Sequence, residues 1–98
     1  MATYIATIKF TGQGVGAIKE TVKRAAAFKS GAKKMGVKVT ASYWTLGASD
    51  GLIIFDAPDE QKATAAMLSL SALGNVTTTT ARAFDAGEME KIIGEMGG

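Results

Sequence analysis

The chain contains neither cysteine nor histidine. Their absence removes thiol nucleophiles, disulfides, Cys/His zinc sites, His-ligated haem and any Ser-His-Asp triad from the chemistry of one chain. No cofactor and no metal site are expected. Long apolar runs are also missing, so no segment reaches membrane-spanning length and no membrane partner is expected. The start, Met1-Ala2-Thr3-Tyr4-Ile5, lacks a basic region followed by an apolar run. A signal peptide is therefore not expected, and a cytoplasmic location is. Charge is scarce as well, with a formal net of +2, too little to imply a nucleic-acid partner.

What is present is 98 residues, the size of one domain, read here as 1–98. Of the 47 % that are apolar, seventeen are alanine, and glycine occurs twelve times, which leaves a thin core. Small cores commonly lean on oligomerisation, so pairing with another copy is expected. The charge is lopsided: residues 1–40 hold eight cations and one acid, net +7, and residues 41–98 hold three cations and eight acids, net −5.

The period of the apolar positions gives the elements. Residues 3–10 alternate, with Tyr4, Ala6, Ile8 and Phe10 opposing Thr3, Ile5, Thr7 and Lys9, which predicts a half-buried strand. Val15, Ile18, Val22, Ala25, Phe28, Ala32 and Met35 step by three or four and predict one helix, stopped by Gly36. Residues 37–46 alternate again, with Val39, Ala41, Tyr43 and Thr45 on one side, and Gly47-Ala48-Ser49 turns the chain into Leu52-Ile53-Ile54-Phe55 as a hairpin. Pro58-Asp59-Glu60 starts a helix with Asp59 as its cap and Ala63, Ala66, Met67, Leu70 and Leu73 on its apolar face. Val76 to Phe84, rich in threonine, is the fourth strand. Asp85 and Glu88 stand at capping-box spacing before a short helix whose Met89, Ile92, Ile93 and Met96 are expected to dock. The Gly97-Gly98 end is expected to fray. The fold class is α+β: a ferredoxin-like βαββαβ antiparallel sheet with two helices on one face and an extra C-terminal helix.

Several motifs have a plain reading beside a chemical one. Gly12-Gln13-Gly14-Val15-Gly16-Ala17 has the spacing of a dinucleotide-binding turn, but no acid falls between Ser30 and Ser49 to hold a ribose and no parallel sheet is expected. A flexible strand-to-helix turn is the better reading. Lys19, Lys23, Arg24, Lys29, Lys33 and Lys34 occupy the non-core positions of the first long helix, as a solvated face does. Trp44 reads as a core or interface anchor. Asp50 follows a turn, where capping backbone amides is commoner than general-base chemistry, and it is the one weak catalytic candidate.

Tyr43-Trp44-Thr45-Leu46-Gly47, Asp50, Phe55-Asp56-Ala57-Pro58-Asp59, Gly74-Asn75-Val76, Arg82-Ala83-Phe84 and Lys23-Arg24-Ala25 followed by Phe28 resemble the bacterial and archaeal GYD-domain proteins over nearly the whole chain. Where that family has Gly-x-Tyr-Asp, this chain has Gly47-Ala48-Ser49-Asp50, so any role of the tyrosine hydroxyl is absent here. The resemblance implies the fold and an oligomer of the dimeric α/β-barrel type, and implies little about activity.

Two surfaces are expected to matter. Ile5, Ile53, Phe55 and Trp44 are expected to form the sheet face turned away from the helices and to be covered by a second copy, in a homodimer or higher oligomer. Thr7 and Lys9 of the first strand, with Thr78, Thr80 and Arg82 of the fourth, are expected to line one surface suited to a small anion or carboxylate. A small-ligand-binding or assembly protein is the leading function. A cofactor-independent enzyme of the dimeric α/β-barrel class, with acid and base roles falling to Asp50, Lys9, Arg82 or Tyr43, is the alternative. A nucleic-acid-binding regulator comes last.

Overall fold

The computed structural model describes residues 1–97, so the expectation for Gly98 lies outside the described residues. Chain order is β1 (Ala2–Phe10), α1 (Gly12–Gly16), a 3-10 turn (Ile18–Glu20), α2 (Thr21–Lys34), β2 (Lys38–Trp44), β3 (Gly51–Ala57), α3 (Glu60–Ala72), β4 (Val76–Ala83) and α4 (Ala86–Gly94). The four strands form one antiparallel sheet in the order β2-β3-β1-β4. This is the ferredoxin-like βαββαβ arrangement with an added C-terminal helix. None of the helices is long and apolar enough to cross a membrane.

The core lies between the sheet and its two long helices. Tyr4, Ala6 and Ile8 of β1 point into it with Val39, Phe55 and Ala57, and the helices add Ala32, Ala63, Ala66 and Met67. Phe55 is completely buried, and its ring stacks on Tyr4 with centroids 5.4 Å apart. Asp59 caps α3 by accepting the Lys62 N–H at 2.8 Å, as its position before a helical run requires.

The long helix expected from Val15 to Met35 is broken. At Ala17 the backbone leaves helical values (φ −109°, ψ 29°), separating α1 from the 3-10 turn and α2. Three glycines within five residues, Gly12, Gly14 and Gly16, weaken the helix there. The stripe continues as Ala25, Phe28, Ala32 and Met35, but upstream of Ala25 it turns: Val15, Ile18 and Val22 are exposed, and Thr21 and Arg24 are the half-buried residues.

Gly14 explains the glycine-rich turn without any phosphate. A Cβ there would overlap the Asn75 carbonyl oxygen and come within 2.9 Å of its carbon. Thr11 donates its N–H to Asn75 O at 3.0 Å and its hydroxyl to Gly74 O at 2.6 Å, while Gln13 Nε2 donates to Leu73 O at 2.9 Å. The turn after β1 is thus stapled to the turn before β4.

A bulge between Val39 and Ala41 shifts the alternation of β2. Val39 sits opposite Phe55 on the core side, whereas Ala41 and Tyr43 sit opposite Ile54 and Leu52 on the outer side. The single stripe expected for Val39, Ala41 and Tyr43 is therefore divided. The C-terminal helix also departs from expectation. The capping box forms, with Glu88 N–H donating to Asp85 at 2.8 Å and Asp85 N–H to Glu88 at 3.2 Å. Yet α4 buries no residue, and Met89, Ile92, Ile93 and Met96 are exposed rather than docked. The radius of gyration, 15.0 Å, exceeds the roughly 13 Å usual at this length, as an element standing off the body produces.

Candidate functional site

The strand registers decide which expected site residues meet. Thr78, Thr80 and Arg82 sit opposite Ile8, Ala6 and Tyr4, so they face the helix layer. Thr7 and Lys9 sit opposite Thr79 and Thr77 on the outer face. The five residues do not line one surface: Lys9 and Arg82 lie on opposite faces of the sheet, which corrects the expected anion stripe. The cause is that Thr77-Thr78-Thr79-Thr80 alternates without any apolar marker, so the sequence pattern is the same in either register.

Arg82 is moreover already engaged. Its Nη2 pairs with Glu88 Oε2 at 2.8 Å, its Nη1 donates to Ala83 O and to Thr3 O, and its guanidinium lies over the Phe84 ring at 4.6 Å. The Arg82 hydrogen bond, followed by the Asp85 backbone N–H, holds the Glu88 carboxyl below its ordinary value of 4.5. Thr78, Thr80 and Arg82 do share a groove of ≈ 330 Å³ with Tyr4 and the outer side of α3, but it lies along an edge strand and its one cation is spent on α4.

The outer-face assignments need similar correction. Phe55 and Ile53 pair with Tyr4 and Ala6 and therefore belong to the core side, Phe55 fully buried and Ile53 packed against the core. Trp44 pairs with Gly51 and turns toward the helices, where its Nε1–H donates to Thr21 Oγ1 at 3.0 Å. Only Ile5 of that set lies on the outer face, where Leu52 and Ile54 are its β3 companions. An unbroken apolar run such as Leu52-Ile53-Ile54-Phe55 carries no alternation from which to choose a face.

The side of the molecule under α2 holds the feature of most chemical interest. A cavity of ≈ 250 Å³ opens between α2 and the sheet. Its walls are mainly apolar, with Ile8, Val39, Ile53, Phe28, Ala25 and Leu70 among them. Trp44 bonded to Thr21 ties the end of β2 to the start of α2 beside it. Three charged groups line it, the cations Arg24 and Lys29 and the acid Asp50. Asp50 fastens the hairpin end to β1: its Oδ2 accepts the Phe10 N–H at 2.8 Å and its own N–H donates to Ile8 O at 2.7 Å. Its Oδ1 accepts no hydrogen bond among the described residues.

Arg24 is the residue that sequence reasoning missed. Its Nη1 donates at 2.7 Å to the carbonyl of Ala17, the point where the helix breaks, while its Nη2 is buried without any hydrogen-bond partner. Among the described residues the one ion pair is Arg82–Glu88, so Arg24 and Asp50 are not paired with each other. A single arginine among the four lysines of α2 was the available signal, because only arginine offers a fork that can bond a carbonyl and still present further donors. Among the described residues no group of three or more His, Cys, Asp or Glu gathers to hold a metal.

A family model described as the GYD domain matches residues 4–93. No curated protein matches the chain.

Proposed function

The chain belongs to the GYD-domain family, and on that premise we infer that it binds a small, largely apolar molecule in the cavity beneath α2 and works as a homo-oligomer. The observation that carries the reading is the cavity itself. At ≈ 250 Å³ it exceeds the roughly 150 Å³ that suffices for a benzene-sized guest in an apolar protein interior. It also has the make-up of a ligand site, an apolar lining with a few polar groups, here Arg24, Asp50, Thr21, Ser42 and Asn75.

The outer sheet face supports the assembly. Ile5, Leu52 and Ile54 sit there half-buried beside exposed Tyr43, and none of the described elements buries them. The apolar residues of α4 are equally uncovered. Burying these groups against a second copy removes apolar area from water at about 25 cal/mol per Å².

A second reading, a cofactor-independent enzyme, rests on Asp50. Its carboxylate lines the cavity with Oδ1 free while Oδ2 is anchored, the arrangement of a positioned base. Asp50→Asn keeps an acceptor for the Phe10 N–H, so loss of a turnover activity with the fold intact would favour the enzyme.

Native mass spectrometry of protein taken from its own source tests the main reading. A multimeric mass with a retained small molecule is expected. In Ala25→Leu, which narrows the cavity, less of the extra mass is retained. A bare monomer at micromolar concentration would contradict both halves.

A further inference from the structure

We propose that the ligand of the cavity beneath α2 is a carboxylic acid with an apolar body, its carboxylate held by Arg24. The proposal rests on the cavity reading above and adds the chemical class of the guest.

A guanidinium is charged at every physiological pH and carries five N–H donors. Among the described residues only Nη1 of Arg24 has a protein acceptor, the Ala17 carbonyl at 2.7 Å. Nη2 is removed from solvent and has none. A buried polar group left unbonded costs free energy, more so when it is charged. The available counter-charge does not relieve it, since Asp50 lines the same cavity but lies beyond ion-pair distance of Arg24. The lysines of α2 are all exposed, Lys29 on the cavity lining included, so Arg24 is the half-buried cation that this helix places against a guest.

The shape of the guest follows from the lining. Ile8, Ile53, Phe28 and Leu70 offer no hydrogen bonds, so the body must be apolar. A carboxylate accepts at two oxygens in the plane that a guanidinium presents, and charge-assisted bonds of this kind are about twice as strong as neutral ones. Nη2 meets the carboxylate when the Arg24 side chain rotates toward the cavity, and Ala17 O then keeps its second donor, the Glu20 N–H at 3.1 Å. A neutral alcohol of the same size fills the same space but offers Nη2 only an uncharged hydroxyl acceptor, a weaker bond than that to a carboxylate.

The test compares 2-naphthoate with its uncharged analogue 2-naphthalenemethanol, by NMR titration of the full chain followed at the Trp44 indole N–H. Binding of the acid at least about tenfold tighter than the alcohol is expected, a difference of about 1.4 kcal/mol. Arg24→Met brings the two to equal affinity, and Arg24→Lys keeps part of the preference. Should Arg24→Met fail to fold, the wild-type ratio and Arg24→Lys still decide. Equal binding of acid and alcohol by the wild type overturns the proposal and leaves the cavity reading standing. Binding of neither probe overturns the cavity reading and the proposal with it.

Discussion

Two helices lie on the same face of the same sheet, and they meet it differently. Helix α3 presents Ala63, Ala66 and Met67, all buried, and closes directly over β3 and β4. Helix α2 buries only Ala32, with Phe28 and Met35 packed at the margin, and leaves ≈ 250 Å³ unfilled beside them. The difference starts at the helix ends. Helix α3 begins at a capped Asp59 and runs unbroken through thirteen residues. Helix α2 begins after a break with no side-chain cap, and Arg24 turns back to bond the carbonyl at that break. The α3 side packs its buried face on the sheet and leaves a more polar groove along β4, whereas the α2 side leaves a mainly apolar cavity. Empty apolar volume is costly to a fold, so its persistence under α2 points to use.

The sharpest break of that comparison is in the sealed half. Phe55→Ala removes the largest fully buried side chain and is expected to cost about 3–5 kcal/mol in chemical denaturation. Gly14→Ala strikes the staple between the turns after β1 and before β4, where the Asn75 backbone must move to admit a methyl group. About 1–3 kcal/mol is expected, seen as a lowered denaturation midpoint.

A matched pair sharpens the comparison further, because the same substitution should have opposite signs on the two helices. Ala66→Leu overfills the sealed side and destabilises by about 1–3 kcal/mol. Ala25→Leu fills existing space under α2 and stabilises by about 0.5–2 kcal/mol. Loss of stability in both would mean that α2 is packed as tightly as α3.

The smallest effect is expected outside both halves, at α4. Glu88 is held below its ordinary value by Arg82 and by the Asp85 N–H. A depressed folded-state value means that its contribution is fully present above 4.5 and is lost as pH falls through the lower folded value. Acid should therefore loosen the start of α4 before the core unfolds, and Glu88→Gln should remove that step from a pH titration followed by NMR. The groups are exposed, so added salt should weaken the effect.

Legibility in the sequence followed the same division. The strand and helix order, the Asp59 cap and the Asp85/Glu88 box are all set by neighbours within a few residues, and local pattern suffices to read them. Faces and registers are not local. The bulge between Val39 and Ala41 reverses β2 in mid-strand, and Leu52 to Phe55 is apolar throughout, so the side taken by Ile53, Phe55 and Trp44 depends on pairing with β1 and β3. The threonine run of β4 has the same ambiguity, which is why Lys9 and Arg82 part company. Asp50 was visible as a residue after a turn, but its place on a cavity wall was not. Arg24 was hidden most fully, because its burial follows from a helix break that redirects the stripe by one position.

The central claim, an open binding half beside a sealed one, is tested most directly by xenon. Xenon enters apolar protein cavities without needing polar contacts, so it reports free volume and nothing else. In methyl-resolved NMR under xenon pressure, shifts are expected at Ile8, Ile53, Leu70 and Val39, which line the cavity, and none at Ala66, which lies fully buried under α3 and lines no opening. Shifts spread equally over both helices, or absent from the α2 side, would contradict it.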